Sequence, residues 1–508
     1  MLNHRHSVAL PGMRLLGCST GGSVPGAALV LATRGTPSYP LTPDASRVGF
    51  VLACALALAG CATPAPHQRP NVAVSAHFAQ VSQLAQLFAP ANPAAADVPD
   101  AWWTLFNDPV LNTLQTRLLA DNQNLQASAA AVAVAQAALG SSRAGTLPAV
   151  GVSAGANRSA TGNTAPATAY TAQGVMATWE IDLWGRISAG VDAASARLDA
   201  SRYTLAATRL SLQATLVQTY FAIRASQALQ AILERSVQSY AQSLKLVGNR
   251  QQAGVATLAD VAQAKAQLLS TQAQLAEAQL QGTQLTHALA LLVGQAPGNF
   301  VLAANPLPTD LPTLPAVPEQ LPANLLERRP DIAAAERQVT AANAQVGAAQ
   351  AAFFPALTLS ASAGVRGSEL GNLFQASNNL WALGNAVAVS LFDGGARDAA
   401  KASARASHDQ TVATYKQTVL VALQEVEDNL AAAGQLGQSV QAQRQALAAA
   451  QQALDVLQNQ YKAGTVGYLN VLAAQNTVLS AERSLLDARN RQLTAVNQLL
   501  KNIAGRWG

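Results

Sequence analysis

Between Asp398 and Ala504 the chain has no proline, and its apolar positions are periodic. Val412, Val419, Val426, Ala433, Val440, Leu447, Leu454 and Tyr461 recur every seven residues. The repeat stops at Ala463-Gly464-Thr465-Val466-Gly467. It resumes with Leu472, Leu479, Leu486, Leu493 and Leu500, with Val496 and Ile503 in the intermediate positions. A seven-residue apolar repeat sustained this long predicts a coiled-coil seam. The glycine-flanked break predicts that the chain turns back on itself as an antiparallel helical hairpin. A helix from Ala396 to Lys462 would run roughly 100 Å at about 1.5 Å per residue. A globular core needs nothing so long, so this chain has to span a distance.

The first half shows the same plan. Trp102, Trp103, Leu105 and Phe106 form an apolar knot, Leu111 to Leu139 has a helical pattern, and Leu147-Pro148 ends it. Ala149 to Gly155 and Tyr170 to Leu183 then alternate small polar with apolar residues, which predicts a β-hairpin with a polar loop at its tip. Asp182-Leu183-Trp184-Gly185-Arg186 closes that hairpin. A proline-free run from Ala167 to Ala296 follows, broken only near Ala253-Gly254-Val255, with Val261, Leu268 and Leu275 seven apart on the returning arm. In the second half Arg328-Arg329-Pro330-Asp331 opens a helix, with proline in the first turn and aspartate at the positive end of the dipole. Phe354-Pro355 ends it. Ala356 to Arg366 and Leu380 to Phe392 make a second hairpin, closed by Asp393-Gly394-Gly395.

Landmarks such as Gly254 and Gly464 lie 210 residues apart, so one unit is present twice. The predicted organisation is a first repeat over 101–294 (hairpin about 147–184, coiled coil about 186–294), a proline-rich equatorial linker over 295–326, and a second repeat over 327–508 (hairpin about 355–393, coiled coil about 396–504). Each copy offers two amphipathic strands. Four strands cannot close a barrel, and free strand edges are not tolerated in a membrane. Three chains supply twelve strands, a plausible barrel with an open lumen. The predicted fold class is therefore mainly α with a membrane β-barrel part: a trimeric 12-stranded β-barrel on a long α-helical barrel.

Composition sharpens this picture. The 508 residues are 50% hydrophobic but only 12% charged and 5% aromatic, against about a quarter charged in ordinary soluble domains. Alanine-rich helices can approach closely, as a packed helical wall requires. The net charge of +5 is spread without a basic cluster, so nothing indicates nucleic acid.

Val48 to Leu58 is an apolar run of secretory-signal size, too short to cross a bilayer as a helix. Leu58-Ala59-Gly60-Cys61 follows it and resembles the bacterial lipobox. That resemblance implies cleavage before Cys61, with a diacylglycerol thioether and an acyl chain on that cysteine, and Ala62 in the next position implies sorting to the outer membrane. A plain signal peptide with a chance cysteine is the alternative. Leu15-Leu16-Gly17-Cys18 also matches a lipobox but has no apolar run before it. The expected processing is a signal peptide over 1–60 with an over-long N-terminal extension, translation beginning nearer Arg47, and a lipidated extended arm over 61–100. Of Cys18, Cys54 and Cys61, only Cys61 then survives, and the mature chain has no disulfide.

In this order and within a duplicated plan, five segments together resemble the TolC-like outer-membrane factors, in the NodT- and OprM-like lipoprotein branch. They are Trp103 to Leu111, Asp182 to Arg186, Arg328 to Ile332, Phe392 to Gly395 and Gly464 to Gln475. The resemblance covers about Trp102 to Ala504. It implies a homotrimeric exit duct that crosses the outer membrane and the periplasm. The duct docks through a membrane-fusion adaptor onto an inner-membrane pump of the resistance-nodulation-division class, and it passes drugs or other small amphipathic compounds.

The resemblance also implies that the hairpin tips, Gly254-Val255-Ala256-Thr257 and Gly464-Thr465-Val466-Gly467, form the periplasmic mouth and touch the adaptor. As plain turns, they would need their glycines only for positive φ. Relatives narrow this mouth with acidic rings. Here the corresponding positions hold Asn470 and Ala473, and Asp260 is the nearby carboxylate, which implies weaker cation selectivity. Tyr461 and Asp260 occupy positions that tie the coiled coils shut in the family. The usual basic partner is replaced by Val466, so a latch would draw on Lys462 or Arg250. Trp184, Trp179, Trp381 and Tyr170 near strand ends read either as an aromatic interface girdle or, for Trp184 above all, as packing at the strand–helix junction. Arg328, Arg329 and Asp331 read as a capped helix start with an ion pair.

No enzyme is expected. The six histidines are scattered, none pairs at metal-ligand spacing, and neither a phosphate loop nor a nucleophile elbow occurs. Two other functions are compatible with long helices and a lipidated cysteine. One is a duct for type I protein secretion; the other is a periplasmic coiled-coil lipoprotein that bridges membranes without a pore, which would have no need of duplicated strand hairpins.

Overall fold

A computed structural model of the chain describes residues 69–72, 101–159, 167–302 and 329–503. The expected signal peptide, Cys61, most of the expected arm, Arg328 and most of the proline-rich linker lie outside the described residues. After a 3₁₀ turn at Trp102–Phe106 come helices α1 (Pro109–Asp121) and α2 (Gln123–Ala144). Strands β1 (Ala149–Ser159) and β2 (Ala167–Ile181) follow, then the helical pair α3 (Arg186–Gln252) and α4 (Leu258–Leu292). The second half gives α5 (Pro330–Ala351), β3 (Ala356–Gly367), β4 (Asn379–Ala388), α6 (Ala396–Lys462) and α7 (Tyr468–Ile503).

The duplication is close. Helices α3 and α6 each have 67 residues, and α2 and α5 each have 22. At about 1.5 Å per residue the long helices span about 100 Å. The seam expected on α6 is present: Val419, Val426, Ala433, Val440 and Tyr461 are buried, and Val412, Leu447 and Leu454 are partly buried. No helix among the described residues is long and apolar enough to cross a membrane.

Three expectations need correction. The helix expected over Leu111–Leu139 is two helices. Asn122 leaves the helical region (φ −69°, ψ 120°) and its side chain caps the Leu125 N–H. Its amide also donates to the Leu292 carbonyl at 2.8 Å, so the break is held by the end of α4. Strand β2 starts at Ala167, three residues before the expected Tyr170, where the pairing with Ser159 begins. Strand β4 ends at Ala388 instead of Phe392. Leu391 and Phe392 continue the apolar composition but have no strand partner, and both are more than 90% exposed.

The four strands form one antiparallel sheet in the order β1-β2-β3-β4. The central β2–β3 pairing, from Tyr170↔Gly367 to Ile181↔Leu357, joins the two repeats and leaves β1 and β4 as edges. Below the sheet, α3 packs against α2, α4, α5 and α7, and α6 packs against α5 and α7. The main core again draws on both halves: Trp102, Phe106, Leu118, Tyr220, Phe221, Leu289, Val426, Leu430, Val496 and Leu500 meet there. Within it Asp108 caps α1 and accepts from the Tyr220 hydroxyl at 2.5 Å, and the buried Arg224 donates to that same hydroxyl at 3.0 Å. The described piece of the arm lies on α5 and α6: Arg69 reaches Tyr415 Oη (3.1 Å) and Glu336 (3.4 Å), and Val72 packs on the apolar cluster there.

Candidate functional site

Three places carry the functional geometry: the sheet, the strand–helix junction and the hairpin tips. Strand register fixes which side chains share a face of the sheet, because successive residues point to opposite sides. Val150 and Val152 lie on one face with Val175, Ala177, Trp179 and Ile181, then Leu357, Leu359, Ala361, Ala363 and Val365, then Trp381, Leu383 and Val387. The opposite face holds Ser153, Thr171, Gln173, Thr178, Glu180, Thr358, Ser360, Ser362 and Arg366 among small residues, with Met176 and Leu380 as its larger apolar members. A shared irregularity at Gly174 keeps the parity right on both neighbours of β2. One side is therefore mainly apolar, interrupted by Asn385 and, toward the far end, by Asn379 and Arg158; within a single chain its Trp381 and Leu383 are 77% and 76% exposed. This is the pattern of a membrane barrel, apolar toward lipid and polar toward the lumen.

At the junction the two repeats copy each other. Asp182 accepts the backbone N–H groups of Ile187 and Ser188 and the Ser188 hydroxyl, all at the start of α3. Asp393 does the same for Gly395 and Arg397 at the start of α6, and Arg397 Nε donates to it at 2.6 Å. Partial burial by itself would raise the Asp182 carboxyl, but these hydrogen bonds hold it below the usual carboxylate range. Asp393 is held low chiefly by Arg397. Glu180 pairs with Arg186 at 2.7 Å. Trp184 is a junction residue, stacked on Phe354, whereas Trp179 and Trp381 lie on the apolar face of the sheet.

At the tips, Gly254 (φ +75°) and Gly464 (φ +79°) make the turns that a side chain would strain. Ala256 and Val466 pack partly onto the coil core, while Val255 is exposed. Thr257 and Asp260 form a capping box at the start of α4. The Asp260 carboxylate accepts the Thr257 N–H (2.9 Å) and hydroxyl (2.8 Å). Arg250 is the cation that meets Tyr461: its Nη1 donates to the Tyr461 carbonyl at 2.7 Å, and its guanidinium lies 4.5 Å from the ring centroid. This joins α3 to α6 within one chain. Asn470 and Ala473 are exposed one turn apart on α7.

Beside this grip lies a cluster the sequence reading did not single out. Tyr240 donates to Asn476 Oδ1 at 3.0 Å, Gln475 reaches Ser239 and Ser243, and Tyr468 is buried against Tyr461. Burial pushes the Tyr468 phenol up to about 12, helped by Tyr240, Tyr461 and Asp260. The only sequence signal was tyrosine near the heptad seam. Among the described residues no group of His, Cys, Asp and Glu could hold a metal.

An apolar-faced sheet with open edges, carried on helical pairs whose long members run about 100 Å, defines a channel-forming protein of the outer-membrane type. The chain belongs to the outer membrane efflux protein family, which matches residues 114–295 and 321–505. It is 31% identical over 462 residues to the toluene efflux pump outer membrane protein TtgC of Pseudomonas putida, covering 89% of this chain and 94% of that one. It is likewise 31% identical over 472 residues to the pyoverdine export outer membrane protein OpmQ of Pseudomonas aeruginosa, covering 91% and 97%. The fold superposes on the outer-membrane channel OprN with a TM-score of 0.80 at 27% identity, covering 88% of this chain and all of that one.

Proposed function

We propose that the protein is the outer-membrane exit duct of a tripartite efflux system. In this reading three copies close a 12-stranded barrel, their helices form a periplasmic tube, and the tips 254–257 and 464–467 meet a membrane-fusion adaptor above an inner-membrane pump of the resistance-nodulation-division class. Cys61 carries the lipid that anchors the chain to the outer membrane. The cargo is small amphipathic compounds, and the duct does no covalent chemistry.

The observation that carries the reading is the sheet itself. Its register separates an apolar from a polar face, and the outer edges of β1 and β4 have no partner among the described residues. In lipid, unpaired backbone groups cost several kcal/mol each, so β1 of one copy has to pair with β4 of the next. The relatives' names support efflux and export as the role. A protein-secretion duct would share the geometry, but the efflux names among the relatives favour small cargo.

Light scattering and negative-stain imaging of the detergent-extracted protein test this. A particle of about three chains, elongated past roughly 100 Å with a stain-filled axis, is the expected result. A monomer or dimer without a lumen would favour the bridging-lipoprotein alternative. Mass spectrometry of the mature N-terminus tests the acylation of Cys61.

A further inference from the structure

The strands carry three charged residues in all, Arg158, Glu180 and Arg366. Register separates them. Arg158 pairs with Thr168 and shares the lipid-facing side with Ala156 and Tyr170. Glu180 is on the polar side at the helix end of the sheet, where Arg186 neutralises it at 2.7 Å. Arg366 is on the same polar side, in line with Thr358, Ser360 and Ser362 and opposite Thr171, at the end farthest from the helices. It is exposed and makes no ion pair or side-chain hydrogen bond with any described residue. The nearest acid along the sequence, Glu369 in the β3–β4 turn, keeps its charge, accepting the neutral Asn372 amide at 3.1 Å, and lies beyond the end of the strand. Residues 160–166, which join β1 to β2, contain no charged residue.

The geometry points to Arg366 as a charge-selectivity residue: in the closed trimer three copies ring the extracellular end of the lumen and favour anionic solutes there. This rests on the duct reading above. It adds to the mouth, where the acidic ring is replaced by Asn470 and Ala473, a positive ring at the opposite end.

Elementary dimensions show that the ring can act. Twelve strands about 4.8 Å apart and tilted about 40° close at a backbone radius of ~12 Å. An inward arginine then places its charge about 7 Å from the axis, inside the Debye length of ~8 Å at physiological salt. Three such charges raise the anion concentration on the axis about threefold in water at that salt, and hardly at all at 1 M, where the Debye length is ~3 Å.

The test is the chloride-to-potassium permeability ratio of the purified full-length protein in planar bilayers, read from reversal potentials across KCl gradients near 0.1 M and near 1 M. Arg366→Gln is expected to lower the ratio about twofold or more at low salt, with Arg366→Glu lowering it further and Arg366→Lys leaving it unchanged. All differences should shrink toward one at high salt. Channels with the same ratio in wild type and Arg366→Gln would overturn the inference and leave the duct intact. Equal losses in Arg366→Lys and Arg366→Gln would also overturn it, because the effect would then not be one of charge. Protein that inserts no channels at all would overturn the duct reading instead.

Discussion

Trp184, the last aromatic of the first hairpin, donates its indole N–H to the carbonyl of Pro355 at 2.7 Å and stacks on Phe354 with ring centroids 4.9 Å apart. It thereby fastens the exit of the first repeat's strands to the entrance of the second's, at the level where sheet becomes helix. Trp184→Phe keeps the stacking and loses the hydrogen bond, and should cost about 1 kcal/mol. Trp184→Ala should cost about 2–3 kcal/mol, as the ring contact goes too. Thermal dissociation of the detergent-solubilised assembly, followed by gel mobility, should rank the three forms in that order.

The grip of Arg250 on Tyr461 uses the ring face and the backbone carbonyl. Tyr461→Phe retains both and should leave single-channel conductance near that of wild type. Arg250→Gln removes the cation, and Tyr461→Ala removes the ring. Each should raise resting conductance, Arg250→Gln more, since Tyr461→Ala leaves the carbonyl contact; the double variant should match Arg250→Gln, because the two residues act as one contact. Additive increases in bilayer recordings would mean that Arg250 acts elsewhere.

The Tyr468 hydroxyl is buried and has no hydrogen-bond partner among the described residues. Removing a buried unsatisfied group is neutral or favourable, so Tyr468→Phe should be stabilising by up to about 1 kcal/mol. The phenol also makes a pH prediction. Its folded value lies near 12 against 10 in the open chain, so its contribution is whole below pH 10 and is lost as pH rises toward 12. Alkaline titration of the assembly should show a loss of stability in that window that is reduced in Tyr468→Phe. Ultraviolet titration of tyrosinate would locate the ionisation.

Gly294 ends α4 with φ +69°, and a Cβ there would overlap the carbonyl of Asp121 at the end of α1. Two penalties coincide, a left-handed backbone and a backbone clash that no side-chain rotation relieves. Gly294→Ala should therefore cost more than about 2 kcal/mol and reduce the yield of assembled protein, whereas Gly298→Ala, with open space around it, should be nearly silent.

Where periodicity spoke, the sequence was sufficient. The bounds of α6 and the tip at Gly464 were legible because a seven-residue repeat, a glycine and an aspartate cap are local signals read along one segment. The duplication was legible for the same reason, since Gly254 and Gly464 keep their spacing. Signals that needed a partner were not legible. Asn122 reads as one more polar residue on a helix until the Leu292 carbonyl is seen to accept its amide. Leu391 and Phe392 read as strand because composition cannot tell which residues will find a neighbour to pair with. Asp260 is expected at the mouth by resemblance, and the local Thr257-x-x-Asp260 spacing, which also fits a capping box, shows its use only when the fold forms that box.

The sequence by itself determined that this is a duplicated chain of long paired helices and amphipathic strands, since those depend on the spacing of apolar side chains along one segment. Only the tertiary structure decided that β2 pairs with β3, merging the two hairpins into one sheet. It also decided that Trp184 clamps the repeats together, that Arg250 and not Lys462 meets Tyr461, and that Arg366 and Arg158 fall on opposite faces. Each of these depends on register between segments far apart in the chain. A shift of one residue in that register reverses every side chain's face, and no pattern within a single segment records it.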